Sequence, residues 1–389
     1  MFLWRTPPPR NADFQLPDHA LLNVTSCNWP QDPHFNETMR DGTDFYVKAI
    51  LYPIILTLST CGNTLTLLVL GTDPRKTTTH VYLMCIAFFD LTTLWLELFN
   101  YLHLVSPQRF KPGEQNVRNS VNVYGFLTFW QEVCVQSSDW TLIAFSIERI
   151  CATAKPLYFR RFETVMRAVY TEVAIVLMAA ICYTENLVVW YHAIKRTVGG
   201  AFPHPLAKEK YLSPALLRWD HIQIQAMVSI AAVNWVTILS LNISLMAVLH
   251  HRKNIRQTLF SADSSSSYSS RPTAATPILL ACGALYSSTM SLPLVCIILV
   301  IAGQPPYCSY HTPPKIQTLL NAFGTMSLLV NYSAGFLLYC WTWRKFRNRF
   351  QDILTAAFGR ITCRPVEAPH HVPRRHSRIT STVSIISYP

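Results

Sequence analysis

A glutamate and an arginine stand side by side at the end of a long apolar stretch, in the triplet Glu148-Arg149-Ile150. An ionisable side chain at the edge of a membrane span is costly unless it is paired or meets a partner, so such residues are candidates for function. An arginine there can also simply extend its charged group to the lipid–water interface. Spacing favours a functional role, because Pro156 lies eight residues after Glu148 and is followed by Leu157.

The stretch that leads to this triplet carries polar side chains that could bind a ligand or an ion. They are Gln131, Glu132, Gln136, Ser137, Ser138 and Asp139. The apolar stretch before it places Asp90 and Glu97 two turns apart on one helical face. Lipid does not solvate such groups, so we expect the helix that bears the first set to be enclosed by others. Alternatively, each acid only makes a hydrogen bond between helices or is neutralised.

Composition indicates a chain that crosses a membrane several times. Half of the 389 residues are apolar and 14% are charged, and the mean hydropathy of +0.20 is too high for an ordinary soluble domain. Seven apolar runs are long enough to cross a hydrocarbon core of about 30 Å. They are Phe45–Leu70, His80–His103, Val121–Ile150, Arg167–Tyr191, His221–Leu249, Pro277–Ala302 and Ile316–Cys340. We therefore expect an all-α membrane protein with a bundle of seven transmembrane helices over residues 45–340.

The charges that flank the first span predict an N-terminal segment outside the cell. Residues 1–44 hold more acids than arginines, whereas Arg75 and Lys76 follow the span, and positive charges favour the cytoplasmic side. Asn23 and Asn36 each begin an Asn-x-Thr glycosylation sequon in this segment. Seven spans then leave the C-terminus inside. We predict a multi-pass plasma-membrane protein whose extracellular N-terminus is glycosylated at both asparagines.

Five short motifs occur in order along the spans. They are Gly62-Asn63 in the first, Ile86-Ala87-Phe88-Phe89-Asp90 in the second, Glu148-Arg149-Ile150 with Pro156-Leu157 at the third, Leu292-Pro293 in the sixth, and Asn331 with Tyr339-Cys340 in the seventh. Their order resembles that of the rhodopsin-like (class A) G-protein-coupled receptors and covers the whole membrane region. The ending Phe336-Leu337-Leu338-Tyr339-Cys340, followed by Arg344-Lys345-Phe346-Arg347, also resembles that of FMRFamide-like peptide receptors.

The resemblance implies a receptor that binds an extracellular peptide or small cationic ligand and activates a heterotrimeric G protein. The ligand-binding residues would be Glu97, Gln131, Glu132, Asn321 and Thr325. The coupling switch would consist of Glu148, Arg149, Ile150, Pro156 and Tyr339. A polar or sodium pocket between ligand and switch would be formed by Asn63, Asp90, Ser138 and Asn331. In the inactive state of the family the arginine is held by the acid that precedes it.

The chain also departs from the family pattern. Tyr124 stands where a cysteine usually begins the third span, and the second outer loop, from His192 to Asp220, contains no cysteine. The usual disulfide therefore cannot form. We predict that Cys27 and Cys308, the two cysteines on the outer side, form a bridge instead. Two free or intermolecularly paired thiols are the alternative.

Two further departures concern the switch. Ser291 stands where an aromatic residue normally precedes the sixth-helix proline, and Gly335 stands where the seventh helix normally has Asn or Asp. Both changes remove side chains that normally stabilise one receptor state, and the glycine adds backbone freedom. We therefore expect a small free-energy gap between the inactive and active states, and measurable basal signalling.

Two segments follow the seventh span. Residues 341–358 place basic side chains opposite apolar ones, as in a helix that lies on the inner leaflet with anionic lipid as its partner. Residues 359–389 are predicted to be a disordered cytoplasmic tail. In it, Cys363 is a candidate for palmitoylation, and a free thiol is the alternative. Serines and threonines of the tail are candidate phosphorylation sites that would recruit arrestin, unless the tail is merely solvated.

Other classes of protein fit the sequence less well. A transporter or ion pathway, the alternative hypothesis, would use Asp90, Glu97, Glu132 and Asp139 as a proton or cation route. The sequence contains no His-Glu-x-x-His zinc motif, Gly-x-Ser-x-Gly elbow or phosphate-binding glycine loop, so we predict neither an enzyme nor a cofactor. The net charge of +12 would suit nucleic acid, but the positive charges lie mainly in short loops and the tail, as in membrane proteins. We predict no nucleic-acid partner.

Overall fold

The computed structural model describes residues 43–74, 76–105, 114–155, 164–196, 214–260, 275–302 and 314–361, and these contain helices and no strand. The helices are α1 (Thr43–Gly71), α2 (Thr78–Val105), α3 (Glu114–Ala154), α4 (Val165–Arg196), α5 (Pro214–Phe260), α6 (Ala275–Ala302), α7 (Pro314–Ser333), α8 (Gly335–Thr342) and α9 (Arg344–Ile361). Each of the first six predicted spans lies within one helix, and the seventh lies within the pair α7 and α8. The predicted all-α, seven-span bundle is confirmed.

Five helices of the described chain, α1, α2, α4, α5 and α6, are long and apolar enough to cross a membrane singly. The pair α7 and α8 makes a sixth such span, with a bend of 47° between its halves. The remaining long helix, α3, is more polar. It packs against α2, α4, α5 and α6, while α7 packs against α1, α2 and α6. The polar helix is therefore the enclosed one, as lipid requires.

The outward face of α4, in contrast to the polar helix α3, is apolar. Tyr170, Leu177 and Ile181 follow one another at helical spacing and are all strongly exposed. Ala179 and Tyr183 of the same helix are buried against α3 and α5 in an apolar cluster. Exposed apolar side chains of this kind suit a lipid surrounding, and they agree with a multi-pass membrane protein.

Two prolines inside helices each leave one backbone carbonyl without its usual N–H donor. Pro53 in α1 frees the carbonyl of Ala49, which instead accepts a hydrogen bond from the Tyr101 hydroxyl of α2 at 3.2 Å. Pro293 in α6 frees the carbonyl of Thr289, which accepts one from the Ser327 hydroxyl of α7 at 2.8 Å. A neighbouring helix therefore compensates each proline, as buried backbone groups require.

The bend between α7 and α8 falls at Ala334, between Ser333 and Gly335. Serine and glycine neighbours are common sites of sharp helix kinks. Below the bend, α8 approaches α1 closely, because a Cβ atom at Gly62 would lie only 2.9 Å from the Phe336 Cβ. The glycine of the Gly62-Asn63 motif therefore serves helix packing.

The first residues of α9 pack under the bundle. Phe346 is buried and its ring lies near those of Trp343, Tyr339 and Phe336, at centroid distances of 5.9–6.0 Å. The chain divides into two compact units, of which the first ends at Phe350 and the second begins at Gln351 with the rest of α9. We call the end of the bundle at Arg149 the inner end and the opposite end the outer end, after the topology predicted from the sequence.

Candidate functional site

The α3 helix presents buried polar side chains around most of its circumference and along most of the bundle. Its buried polar residues are Thr128, Gln131, Glu132, Gln136, Ser137, Ser138, Asp139, Thr141, Ser146 and Arg149. Such groups need partners wherever water is excluded. The partners come from α2, α4, α5 and α6, and they define an outer, a central and an inner group.

The outer group joins two of the residues predicted to bind ligand. The Gln131 side-chain amide donates a hydrogen bond of 2.6 Å to the Glu97 carboxylate of α2, and both residues are buried. Glu132 and Thr325 are also buried. Asn321 lies in α7, but its side chain is outside the part of the chain that the structure describes.

The central group contains Asp90, whose carboxylate accepts a hydrogen bond of 2.6 Å from the Ser138 hydroxyl. Asn63 does not bond to this carboxylate. Its amide donates to Ser59 at 2.9 Å and to the backbone carbonyl of Tyr332 in α7 at 3.0 Å. The structure thus joins two of the four residues predicted for the polar pocket. It gives the side chain of the fourth, Asn331, no hydrogen bond to any described residue.

A second carboxylate in the centre connects three helices. The Asp139 carboxylate of α3 accepts a hydrogen bond from the Tyr286 hydroxyl of α6 at 3.0 Å and one from the Asn234 amide of α5 at 3.4 Å. The adjacent Trp140 donates its indole N–H to the Asn234 oxygen at 3.2 Å. Neither Asn234 nor Tyr286 was predicted as a site residue from the sequence, although each is a polar residue within an apolar run.

Another buried carboxylate, Glu172 of α4, was also not predicted as a site residue from the sequence. It accepts a hydrogen bond of 2.8 Å from the Thr141 hydroxyl of α3 and is 6% exposed. The run of α4 that follows it is apolar and typical of a lipid-facing span, and only its charge at the start of that run, five residues after Arg167, marks it. This contact fixes α4 against α3 at the level between Asp139 and Arg149.

The inner group holds the arginine from which the functional hypothesis started. The Arg149 guanidinium donates to the carboxylate of the preceding Glu148 at 2.5 Å and to the Thr78 hydroxyl at 2.9 Å. That hydroxyl in turn donates to the same Glu148 oxygen at 2.6 Å. Arg149 also lies over the Phe145 ring, 5.6 Å from its centre, where a cation is attracted. The arginine is 7% exposed and therefore does not extend to the interface.

Comparison with known proteins identifies relatives of one kind. No family model matches the chain. The chain is 28% identical to the cholecystokinin receptor of Xenopus laevis over 179 residues, which cover 42% of this chain and 38% of that receptor. It is 33% identical over 121 residues to the cholecystokinin receptor type A of Homo sapiens and to that of Canis lupus familiaris, covering 30% of this chain and 26% of each.

The matches thus span 38% or less of the length of these relatives. The relatives are rhodopsin-like (class A) receptors. The partial similarity to them supports a divergent rhodopsin-like receptor. The resemblance predicted from the motifs is confirmed, whereas the finer likeness to FMRFamide-like receptors stays a prediction.

The inner end of the bundle has a further charged cluster. Asp73, in the connection between α1 and α2, pairs with Lys345 of α9 at 2.9 Å and lies 3.3 Å from the Nε2 atom of His80 in α2. The backbone N–H of Thr77 donates to the other ring nitrogen of His80 at 3.2 Å. These contacts hold the start of α9 against the α1–α2 connection.

Several predicted site residues lie outside the described residues. They are the sequon asparagines Asn23 and Asn36, the cysteines Cys27 and Cys308, the tail cysteine Cys363, and Pro156 of the switch. Ile150 is partly exposed at the inner end of α3, and Tyr339 is buried in α8 above Phe346. Within the described ranges no group of three or more His, Cys, Asp and Glu side chains could hold a metal ion.

Proposed function

We propose that this chain is a G-protein-coupled receptor that binds an extracellular peptide and activates a heterotrimeric G protein. The observation that carries the proposal is the buried contact of Arg149 with Glu148 and Thr78 at the inner end of α3. A buried arginine that is held by a neighbouring carboxylate loses much of its stabilisation when that contact breaks. A rearrangement that breaks the contact presents a strong hydrogen-bond donor to a partner at the inner surface.

The ligand is proposed to carry a cationic group. Glu97 and Glu132 are both buried in the outer half of the bundle, on the two helices most central to it. A positive group of a ligand would meet two acids there, with the Gln131 amide beside them. The relatives are named receptors for cholecystokinin, which supports a peptide as the ligand class.

Binding would act on the switch by shifting populations of two states. A ligand shifts such an equilibrium only by its difference in affinity for the two states. The contacts of α3 with α2, α5 and α6 connect the outer acids to Arg149 through side chains of one rigid helix. The contact of Asp90 with Ser138, together with Asn63 and Asn331, remains our proposal for the polar or sodium pocket.

The topology and the terminal segments are also proposals. We place the N-terminus outside, with glycans on Asn23 and Asn36 and a bridge between Cys27 and Cys308. We place residues 359–389 inside, with palmitoylation at Cys363 and arrestin binding to the phosphorylated tail. Accessibility of an epitope tag at residue 1 in intact cells tests the topology, and thiol labelling before and after reduction tests the bridge.

A ligand screen tests the main proposal. Cells that express the chain are exposed to amidated peptides and to amines, and both calcium and cAMP are recorded. At least one peptide should give a response that the Arg149→Ala variant, expressed equally at the surface, does not give. Ion-coupled uptake of a labelled substrate by the reconstituted protein, with no response through G proteins, would instead support a transporter.

A further inference from the structure

We infer that His80 is a positioning residue that couples the docking of α9 on the α1–α2 connection to the contact of Arg149 with Glu148. The inference rests on the proposed function, because it adds a regulator to the same switch. His80 lies in the first turn of α2 and is 3% exposed. Its link to the switch is Thr78, the first residue of α2, whose hydroxyl bonds to both members of the pair.

One ring nitrogen of His80 fixes the start of α2. The backbone N–H of Thr77 donates to the Nδ1 atom at 3.2 Å, and the Thr77 hydroxyl contacts the same nitrogen. Thr77 directly precedes the helix and His80 is its third residue, so the ring stands where a capping box has glutamate or glutamine. Because Nδ1 accepts from an N–H, we assign the proton of the neutral ring to Nε2.

The other ring nitrogen of His80 connects to α9 through an acid. The Nε2 atom lies 3.3 Å from a carboxylate oxygen of Asp73, and the Lys345 ammonium of α9 donates to that same oxygen at 2.9 Å. The side chains of His80 and Asp73 are only 4% and 13% exposed, so water screens their contact little. The ring of Trp343, directly before α9, lies beside the imidazole at a centroid distance of 5.7 Å.

The α1–α2 connection is anchored on both sides. The Lys76 ammonium donates to the carbonyls of Leu70 and Gly71 at 2.7 and 2.6 Å and so caps the end of α1. On the other side, Arg349 of α9 donates to the Thr72 carbonyl at 3.2 Å. A connection held in this way has little freedom to absorb a movement of α9, so its acid follows that movement.

The first turn of α2 carries the hydroxyl that supports the switch. Thr78 donates to Glu148 at 2.6 Å and accepts from Arg149 at 2.9 Å. A helix that loses its cap frays at the first turn, because the N–H groups there lose their acceptors. Losing either contact of the His80 ring therefore displaces Thr78 and narrows the free-energy gap between the two receptor states.

Three substitutions at His80 separate the two contacts of its ring. His80→Leu fills much of the space but removes both contacts. His80→Gln keeps an acceptor for Thr77 and a donor for Asp73, and it is the conservative rescue. His80→Glu keeps the acceptor that a capping box normally uses, but it places a second carboxylate beside Asp73.

Two substitutions in α9 test whether its docking reaches the start of α2. Lys345→Glu replaces the cation that contacts Asp73 with an acid that repels it. Arg344→Glu makes the same change of charge at the exposed neighbouring residue and is the matched control.

Hydrogen–deuterium exchange of the purified full chain measures the first turn of α2 without any G protein. The amides to follow are those of Thr77, His80 and Val81, since the last two donate to the Thr77 carbonyl at 3.0 and 3.3 Å. His80→Leu and Lys345→Glu should speed exchange there about two- to fivefold, as expected for one lost hydrogen bond. His80→Gln and Arg344→Glu should stay within about 1.5-fold of the parent chain.

Basal G-protein activation at matched surface expression is the second readout. His80→Leu, Lys345→Glu and His80→Glu should each raise it about two- to fivefold. The rise in His80→Glu is expected although α2 keeps its cap, because the contact with Asp73 is lost. In a Thr78→Val background His80→Leu should cause no further rise, since the Thr78 hydroxyl carries its effect.

The two readouts separate this inference from the proposed function. A parent chain that activates no G protein would refute the proposed function, while the exchange rates would still report the coupling of α9 to α2. Unchanged exchange in Lys345→Glu would overturn the inference, and this variant of an exposed residue decides the matter if His80→Leu does not fold. Parent-like basal signalling in His80→Glu would make His80 a helix cap alone and would overturn the inference as well.

Discussion

The inner and central carboxylates of the bundle differ in what holds them. At the inner end Glu148 contacts a cation, Arg149, with Thr78 bonded to both. In the centre, Asp90 accepts from a serine and Asp139 from a tyrosine and an asparagine. Within the described chain neither central acid contacts a cation.

This difference indicates different roles. The charges of the inner pair compensate each other within one helix, so the pair survives small movements of neighbouring helices. Each central acid accepts its hydrogen bonds from other helices, so its contacts depend on the positions of those helices. We propose that the inner pair acts as a latch on the inactive state, and that the central acids connect the arrangement of the helices to it.

Removing the cation of the latch should have the largest effect. Arg149→Ala is expected to abolish ligand-dependent signalling, because in our proposal the guanidinium is the group that contacts the G protein once it leaves Glu148. Surface expression should persist, and radioligand or labelled-peptide binding should remain measurable. The measurement is calcium and cAMP response at matched surface levels, with Arg167→Ala, an exposed arginine of α4, as control. Parent-like signalling by Arg149→Ala would make the arginine a purely structural residue.

Removing an outer acid should affect the ligand rather than the latch. Glu132→Gln and Glu97→Gln are each expected to weaken a cationic agonist by about 1–3 kcal/mol, the usual cost of losing one partner of a buried charged contact. Basal signalling should change little, because Arg149 keeps its contacts. Concentration–response curves for one agonist on both variants provide the measurement. Unchanged potency in both would place the ligand elsewhere.

Neutralising Glu148, the acid of the latch, should have a smaller effect than removing Arg149, and it should raise signalling instead of abolishing it. Glu148→Gln leaves a neutral amide beside Arg149 and should raise basal signalling, by about tenfold for each 1.4 kcal/mol lost from the gap between states. Thr78→Val, which removes the shared hydroxyl but keeps the shape, should raise it less. Basal cAMP or calcium without ligand, normalised to surface expression, is the readout. A fall in basal signalling would contradict the role of the pair as a restraint on the inactive state.

Periodicity and composition predicted the helices because a membrane constrains them so strongly. Every span must be long and apolar, so each of the first six predicted runs lies inside one helix of the structure, and the seventh lies within the pair α7 and α8. For the same reason, the polar side chains of α3 predicted that other helices surround it. The helix ends were less well predicted: α5 continues to Phe260, beyond the predicted end at Leu249, because helix outside the lipid needs no apolar side chains.

The site was predictable only in part. Glu97 with Gln131, and Asp90 with Ser138, were assigned to common sites through the family resemblance, and the structure brings each pair together. Thr78, Asn234, Tyr286 and Glu172 could not be assigned, because a hydrogen bond between helices depends on rotation and depth, which a single sequence does not contain. Common residue types such as threonine and tyrosine also carry little signal on their own.

The smallest effect, on the stability of the fold, is expected at Glu172, the buried acid of α4. It tests most directly whether buried acids held by neutral donors differ from the acid that contacts Arg149. Its described partner is the neutral Thr141 hydroxyl at 2.8 Å. Glu172→Gln keeps an acceptor oxygen for that hydroxyl and removes a buried charge that no cation compensates. The thermal midpoint of unfolding should therefore stay the same or rise by a few degrees, since removing such a charge is often neutral or stabilising.

The matched control for Glu172→Gln leaves the charge and removes its donor. Thr141→Val keeps the shape of the side chain, but the Glu172 carboxylate then loses its hydroxyl, so the midpoint should fall. Glu148→Gln should also lower the midpoint, because it leaves Arg149 without a carboxylate. All three variants can be compared by thermal unfolding of the purified protein in one detergent. A loss of stability in Glu172→Gln as large as that in Glu148→Gln would mean that an acid held by a neutral donor and the acid beside Arg149 depend on their charge alike. The proposed difference between buried acids with and without a neighbouring cation would then fail.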